Sequence, residues 1–318
     1  MKVILAYDLG DAYVQDLRNS FPEVDFRPAY TVEAQLREVP DAEVQFGLMS
    51  GEVFRAAKQL RWFHFIGIGF DVVLKGAPGL VESDVVMTNA RETHVIAMAD
   101  HALAMVLAFA HRVPDLVEDR RAHRWDTLKY QGAMRELAGT TMGVLAMGDI
   151  GRAVARRASG FDMKVYGIDV LQMDPPEGVQ EVWGPERLDE VLALSDWFVV
   201  TAPLIDSTRG LLDRERLARL KRGAYVIVVS RGGIVLEDAL AEALSSGHVA
   251  GAALDAVDPE PLADDSPLWD LPNVIMSPHV SADSPEMWER RRQIFKENLR
   301  RHLAGETLLN ICDKKKGF

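Results

Sequence analysis

Thr141-Met142-Gly143-Val144-Leu145-Ala146-Met147-Gly148-Asp149-Ile150-Gly151-Arg152 is the stretch whose reading decides the fold. It reads as a buried strand, a glycine turn and a helix that begins at Ile150. Such a junction leaves backbone N–H groups and the positive helix end facing an anion, which is a phosphate site. An acidic residue, Asp169, ends a second strand, Lys164 to Ile168, at roughly the interval expected of a ribose-binding carboxylate. Together these features point to a dinucleotide. The residues expected to meet it are Met147, Gly148, Asp149, Ile150, Gly151 and Asp169. A carboxylate at the ribose favours NAD over NADP.

The turn departs from G-x-G-x-x-G in its first position, where Ala146 stands. Gly148 and Gly151 keep the other two tasks, close approach to a pyrophosphate and close packing of helix on strand. Alanine is excluded at the first position only if φ must be positive. By itself the turn would also suit a strand–helix junction that holds no ligand.

Working outward, the chain alternates strands and helices on both sides of this turn. Before it, strands are expected at Val3 to Ala6, Val24 to Phe26, Phe46 to Met49, Trp62 to Ile66 and Val85 to Met87. Helices are expected at Ala12 to Phe21 and Phe54 to Leu60. A long helix from His94 to about Arg112 follows, then another from Pro114 to about His123. After the turn, strands are expected at Val165 to Ile168, Trp197 to Val200, Tyr225 to Val229, Ala250 to Leu254 and Val274 to Met276. Helices separate them at Ile150 to Ser159, Leu188 to Leu194, Arg214 to Leu220 and Leu236 to Ser245. This alternation predicts an α/β protein with parallel sheets covered on both faces. Its length of 318 residues exceeds one core and predicts two lobes. The last helix, Ser284 to about Leu303, is expected to return to the first lobe. The boundaries are therefore 1–92 with 285–318, and 93–284.

Composition narrows the function classes. A formal net charge of −12 opposes nucleic acid as a partner. One cysteine, Cys312, leaves no internal disulfide and no cysteine-based metal site, and no metal is expected. No leader precedes Asp8, and the apolar run near Ala102 to Ala110 is too short to span a bilayer. A cytoplasmic protein with no membrane contact is expected. The basic tail, Asp313 to Phe318, reads as a solvated end.

Three charged groups follow strands of the second series: Arg231 in Ser230-Arg231-Gly232-Gly233, Glu260 after Leu254-Asp255, and His279 after Ser277-Pro278. Strands of an open parallel sheet present ligand sites at their carboxyl ends, so all three project to the edge that carries the glycine turn. A carboxylate beside an imidazole favours the protonated ring, which can give or take a proton near neutrality. An arginine fork can grip a carboxylate. Taken singly, each residue also suits a turn, a solvated loop or a cap.

The chain resembles the D-isomer-specific 2-hydroxyacid dehydrogenases nearly end to end. The pieces that carry the resemblance are Ile66 to Asp71, Ala99-Asp100-His101, Ala146 to Gly151 with Asp169, Pro203-Leu204 with Ser207-Thr208-Arg209, Ser230 to Gly233, Leu254-Asp255 with Glu260-Pro261, and Ser277-Pro278-His279. The resemblance implies two Rossmann-like lobes, flavodoxin-like and NAD-binding, with the active site in the cleft and a homodimer. It implies His279 as general acid/base on the C2 oxygen, Glu260 as its partner and Arg231 as the group that orients a 2-oxo acid. Ile68 and Gly69 would receive the substrate carboxylate. Pro203, Thr208, Ser230 and Asp255 would line the cofactor, Asp255 near the nicotinamide carboxamide.

The departures from the family pattern are Ala146 for glycine, Val228 for a common asparagine, Asp100 for glutamate, and His94 where many members carry a substrate-facing asparagine. The last opposes formate oxidation and makes His94 either a substrate-binding residue or an exposed helix-start histidine. Trp125 and Trp288 are expected to be packing residues. The implied activity is NAD-dependent interconversion of a small D-2-hydroxy acid and its 2-oxo acid, as in a glyoxylate/hydroxypyruvate reductase or a broader 2-oxo acid reductase. Two alternatives stand beside it: a catalytically idle NAD(H)-sensing scaffold, and a reductase that prefers NADPH.

Overall fold

The computed structural model describes residues 1–315, so Lys316, Gly317 and Phe318 of the basic tail lie outside the described residues. Contacts divide the chain into two units, Met1–His94 with the residues from Ser284 onward, and Val95–Asp283.

The first unit runs β1 (Lys2–Ala6), α1 (Asp11–Ser20), β2 (Asp25–Pro28), α2 (Val32–Glu38), β3 (Val44–Gly47), α3 (Gly51–Ala56), β4 (Trp62–Phe65), α4 (Asp71–Gly76) and β5 (Val86–Asn89). The five strands are parallel in the order β2-β1-β3-β4-β5. Both faces are covered, so the inner strands β1, β3 and β4 are buried almost throughout, while the edge strand β2 buries only Phe26. Val3, Leu5 and Trp62 pack on one side with Tyr13 and Leu17 of α1, while Ile4, Phe63 and Met87 pack on the other with Val53 of α3.

Helix α2 has no counterpart in the sequence reading. It starts where Thr31 Oγ1 accepts the Ala34 N–H, and it buries only Gln35, so it shows no apolar stripe. Helix α3 starts at Gly51 instead of Phe54 because Ser50 Oγ accepts the Val53 N–H.

The second unit runs α5 (Val95–Ala110), α6 (Val113–Arg121), α7 (Thr127–Tyr130), β6 (Thr141–Leu145), α8 (Asp149–Ser159), β7 (Lys164–Ile168), β8 (Val179–Trp183), α9 (Leu188–Leu194), β9 (Trp197–Val200), α10 (Arg214–Arg219), β10 (Ala224–Val228), α11 (Glu237–Ser245), β11 (Val249–Leu254) and β12 (Val274–Met276). Its seven parallel strands lie in the order β12-β11-β10-β9-β6-β7-β8. The order reverses between β6 and β9, so the loops after these two strands part and leave a crevice. Helices α5 and α8 cover one face; α9, α10 and α11 cover the other.

Strand β8 is absent from the sequence reading. It is an edge strand, and Gln180 and Glu181 at its second and third positions are exposed. The expected long helix stops at Ala110 because Arg112 takes φ = 54°, and Pro114 sits in the first turn of α6. Trp125, expected to pack, is 97% exposed.

The chain then forms α12 (Pro285–Ala304), which buries Phe295 and Leu299 on the first sheet. Trp288 stacks on Tyr7, as a packing residue would. Lys314 donates to the Ser83 and Val85 carbonyls, so this part of the tail is docked, not solvated.

No single helix among the described residues is long and apolar enough to cross a membrane, although the pair α5 and α6, bent by 65°, passes on length and composition together. Among the described residues no cluster of three or more His, Cys, Asp or Glu could hold a metal.

Candidate active site

The glycine turn lies at the carboxyl end of β6. Ala146 takes φ = 77° there. The backbone does require a positive φ, and alanine occupies it at a cost of roughly 1–2 kcal/mol. Thr201, at the end of β9, donates its hydroxyl to the Leu145 and Ala146 carbonyls at 2.9 and 2.7 Å and holds the strained peptide. A Cβ on Gly151 would stand 2.1 Å from the Ala146 carbonyl oxygen, so only glycine lets α8 sit this close to the turn.

At Gly148 a Cβ would meet nothing within 4 Å. Gly148 and Asp149 are exposed, Met147 is buried and Ile150 is partly so. No side chain caps α8. Its first-turn N–H groups therefore face open space beside Gly148, which suits a pyrophosphate.

Asp169 ends β7 and accepts the Met147 N–H at 2.7 Å and the Leu171 N–H at 2.8 Å. Each carboxylate oxygen keeps a lone pair for a ribose hydroxyl. The residues just after Asp169, Val170 to Met173, include no basic one, but the fold brings one near. Arg152 donates to the Met147 carbonyl at 2.8 Å and reaches Met173. After β9, Thr208 donates to the Pro203 carbonyl at 2.6 Å and accepts the Ile205 N–H, shaping the loop on the other side of the crevice.

Strands β10, β11 and β12 are neighbours, so the loops that follow them are too. This adjacency brings Arg231, Glu260 and His279 to one edge. Arg231 follows β10 and donates to the Ser230 carbonyl, while a Cβ on the next residue, Gly232, would overlap the Val257 backbone. Ser230 Oγ is buried with no hydrogen-bond partner, a group that a bound molecule could satisfy.

His279 Nδ1 lies 2.9 and 3.0 Å from the two Glu260 oxygens. Both side chains are about two-fifths exposed, 41% and 40%. Because a carboxylate only accepts, Nδ1 carries a proton and Nε2 is the ring atom left to exchange one with a ligand. Asp255, at the end of β11, is 3% exposed. It accepts the Ser277 hydroxyl at 2.6 Å and the Val280 and Ser281 N–H groups at 2.9 and 3.0 Å. Its bonds as seen go to the loop that carries His279.

The remaining candidates belong to the first unit, after β4 and β5. The Ile68 carbonyl accepts from Asn89, and the Ala90 N–H binds the Gly67 carbonyl, so the Ile68-Gly69 turn is tied to β5. His94 is 6% exposed, which removes the reading of it as an exposed helix-start residue. Thr93 gives its hydroxyl proton to Ala90, so His94 Nδ1 donates to Thr93 and Nε2 accepts from Arg291. Thr201 was not singled out from sequence, since it acts across a contact between strands distant in sequence, and neither Arg152 nor Ser277, though quoted in motifs, was given a role.

Residues 103–281 match the family of the D-isomer specific 2-hydroxyacid dehydrogenase NAD binding domain. D-3-phosphoglycerate dehydrogenase of Archaeoglobus fulgidus is 33% identical over 98% of this chain and 59% of its own length. The chain thus spans little more than half the length of the phosphoglycerate dehydrogenases it matches. Glyoxylate reductase of Korarchaeum cryptofilum is 32% identical over 88% of this chain and 85% of its own. Among solved structures, a D-isomer specific 2-hydroxyacid dehydrogenase of Xanthobacter autotrophicus Py2, in complex with NADPH and MES, superposes with a TM-score of 0.85 at 32% identity, covering 100% of this chain and 99% of that one. With a glycine turn at the switch point of its sheet and with this sequence kinship over nearly its whole length, the chain belongs to the D-isomer specific 2-hydroxyacid dehydrogenases and carries their NAD binding domain.

Proposed function

We propose that this chain is an NAD-dependent oxidoreductase that interconverts a small D-2-hydroxy acid and its 2-oxo acid, in the manner of a glyoxylate or hydroxypyruvate reductase or of a broader 2-oxo acid reductase. The observation that carries the reading is the Glu260–His279 pair, held by loops next to the Arg231 loop on the edge that also bears the glycine turn. When bound, the nicotinamide supplies the hydride acceptor or donor. The chain's own residues do the rest. His279 Nε2 gives a proton to the C2 oxygen on reduction and takes it back on oxidation. Glu260 fixes the tautomer that makes this possible and supports the positive ring. Arg231 offers a planar fork to the carboxylate and the adjacent carbonyl. By the resemblance, Ile68 and Gly69 would receive the substrate carboxylate, and His94 is the further residue of the first unit assigned to the acid.

The cofactor residues fit NAD, with room beside Gly148, an uncapped α8 and a ribose carboxylate at Asp169. A 2′-phosphate would meet that carboxylate at close range, and Arg152 is engaged by the Met147 carbonyl. The NADPH complex of the Xanthobacter relative supports a second reading, preference for NADPH. Oxidation of NADH and of NADPH against 2-oxo acids of rising side-chain size decides between them. A higher kcat/KM with NADH supports the first reading. Equal or better kinetics with NADPH overturns the assignment of Asp169, and no turnover with any 2-oxo acid favours the idle NAD(H)-sensing scaffold.

The same reading includes a cytoplasmic homodimer. In the segment after α5, Trp125, Leu128 and Met134 are 97%, 79% and 43% exposed. Asp119 holds that segment together through Arg124, Lys129 and Tyr130. A shaped apolar surface of this kind suits a second copy. Light scattering at working concentration is expected to give a dimer; a monomer would refute this part.

A further inference from the structure

The Ala99-Asp100-His101 stretch has no part in the chemistry derived so far, yet it touches the loop that carries His279. His101 lies in α5, which is held on α8 by the Asp100–Arg157 pair at 2.6 Å. Its Nε2 is 3.1 Å from Ser277 Oγ, and Ser277 Oγ is 2.6 Å from Asp255 Oδ1. A hydroxyl has one proton to give. The shorter bond, to a carboxylate that can only accept, takes it. Ser277 therefore accepts from His101, and His101 carries its proton on Nε2.

The far end of this chain of bonds is His279. Its backbone sits at φ = 55°, a conformation that costs an L-residue about 1–2 kcal/mol and persists only where the surroundings hold it. Asp255 provides that hold. Its carbonyl accepts the His279 N–H at 2.9 Å, and its carboxylate takes the N–H groups of the next two residues, Val280 and Ser281. Burial acts against the charge of Asp255, yet the Ser277 hydroxyl and these N–H groups hold its carboxyl below the ordinary value. Ser277 adds a second anchor, since its own carbonyl lies 3.0 Å from the His279 N–H.

We propose that His101 is a positioning residue for the reaction. As an Nε2–H donor it locks the Ser277 hydroxyl onto Asp255, and Asp255 in turn fixes the left-handed backbone and the aim of His279. The role rests on His279 handling the substrate proton. The tautomer of His101 does not, and this separates the two claims.

The kinetic test uses four variants. His101→Leu removes the donor at similar volume, and His101→Gln returns an N–H near the Nε2 position. Ser277→Ala cuts the link, and the double variant His101→Leu/Ser277→Ala closes the cycle. His101→Leu is expected to lower kcat roughly 10- to 100-fold, the scale of a small misplacement of a reacting group, with the KM for NADH within about twofold. His101→Gln is expected to recover most of the loss. The double variant should be no worse than Ser277→Ala alone, because His101 Nε2 hydrogen-bonds Ser277 and lies 4.0 Å from the Asp255 carboxylate itself, beyond hydrogen-bond reach. Unchanged turnover in His101→Leu, additive losses in the double variant, or a loss that Gln fails to rescue would each overturn the proposal.

The independent readout is the ring nitrogen spectrum of ¹⁵N-histidine-labelled protein without ligand. A protonated Nε2 and a bare Nδ1 on His101 at pH 8 are expected. The Nδ1–H tautomer would overturn the proposal whatever the enzyme's substrate is. Should His101 show the Nε2–H form and Ser277→Ala still turn over normally, the positioning role fails and the hydrogen-bond assignment alone stands; normal turnover in His279→Ala is what would instead overturn the reading of His279.

Discussion

Two turns at the carboxyl edge of the seven-stranded sheet place a non-glycine residue in the left-handed region, Ala146 after β6 and His279 after β12. Each is held by the strand beside it. Thr201, just after β9, bonds the Ala146 carbonyl, and Asp255, just after β11, bonds the His279 N–H and its neighbours. The difference lies in what the side chain does. The methyl of Ala146 only packs against the neighbouring core, whereas the imidazole of His279 meets Glu260. The strain at 146 is removable. The strain at 279 comes with the side chain that meets Glu260. On the proposed function, the glycine position at this edge is a matter of cofactor fit, and the strained histidine a matter of aim.

The largest effect expected from breaking this comparison is at His279. His279→Ala should lower kcat by roughly 10²–10⁴ in NADH-linked reduction of a 2-oxo acid, and near-normal turnover would remove the acid–base role. Arg231→Lys keeps the charge but loses the fork, and steady-state kinetics should show kcat/KM down by about 10² for a loss of some 3 kcal/mol in the transition state. Activity close to wild type would make Arg231 structural.

At Asp255 the expected effect is on stability. Asp255→Asn sets an amide against N–H groups that need an acceptor and should cost about 1–3 kcal/mol in urea unfolding. The sign of its pH dependence follows from the lowered carboxyl. The stability it contributes is complete above the unfolded-state value, about 3.9, and is lost as pH falls through the lower folded-state value. The variant should lack that part of the acid unfolding curve; an acid limb of unchanged shape would contradict it. The smallest effect is at Ala146. Ala146→Gly relieves the strained φ but loosens the unfolded chain, so a net gain of about 0.5–1 kcal/mol is expected by thermal unfolding. A loss of stability would mean the strain is not felt.

What the sequence made legible follows the same division. The turn from Leu145 to Gly151 and the acid at Asp169 are local signals, because helix, turn and strand end follow one another along the chain. Arg231, Glu260 and His279 were each visible as charged residues after strands, and the strand order explains why His279 meets Glu260 on the edge that also bears Arg231. Helix α2 and strand β8 left weak patterns, since one buries a single glutamine and the other is an edge strand with exposed polar residues. Thr201 and the His101–Ser277–Asp255 chain depend on side chains meeting across strands or from a helix 176 residues away in sequence. Periodicity carries no trace of such meetings. Asp255 was placed at the nicotinamide by resemblance, and the three bonds it makes to residues 277–281 had no local signal.

The central claim is that the turn at Ala146 binds the cofactor while the turn at His279 does the proton chemistry, and that the two are separable. A fluorescence titration of NADH into the His279→Ala variant tests it most directly. The account predicts a Kd within about twofold of the unmodified protein despite the lost turnover, because Met147 to Gly151 and Asp169 are untouched. A Kd weakened in proportion to the loss in kcat would contradict the separation and make His279 part of the cofactor site.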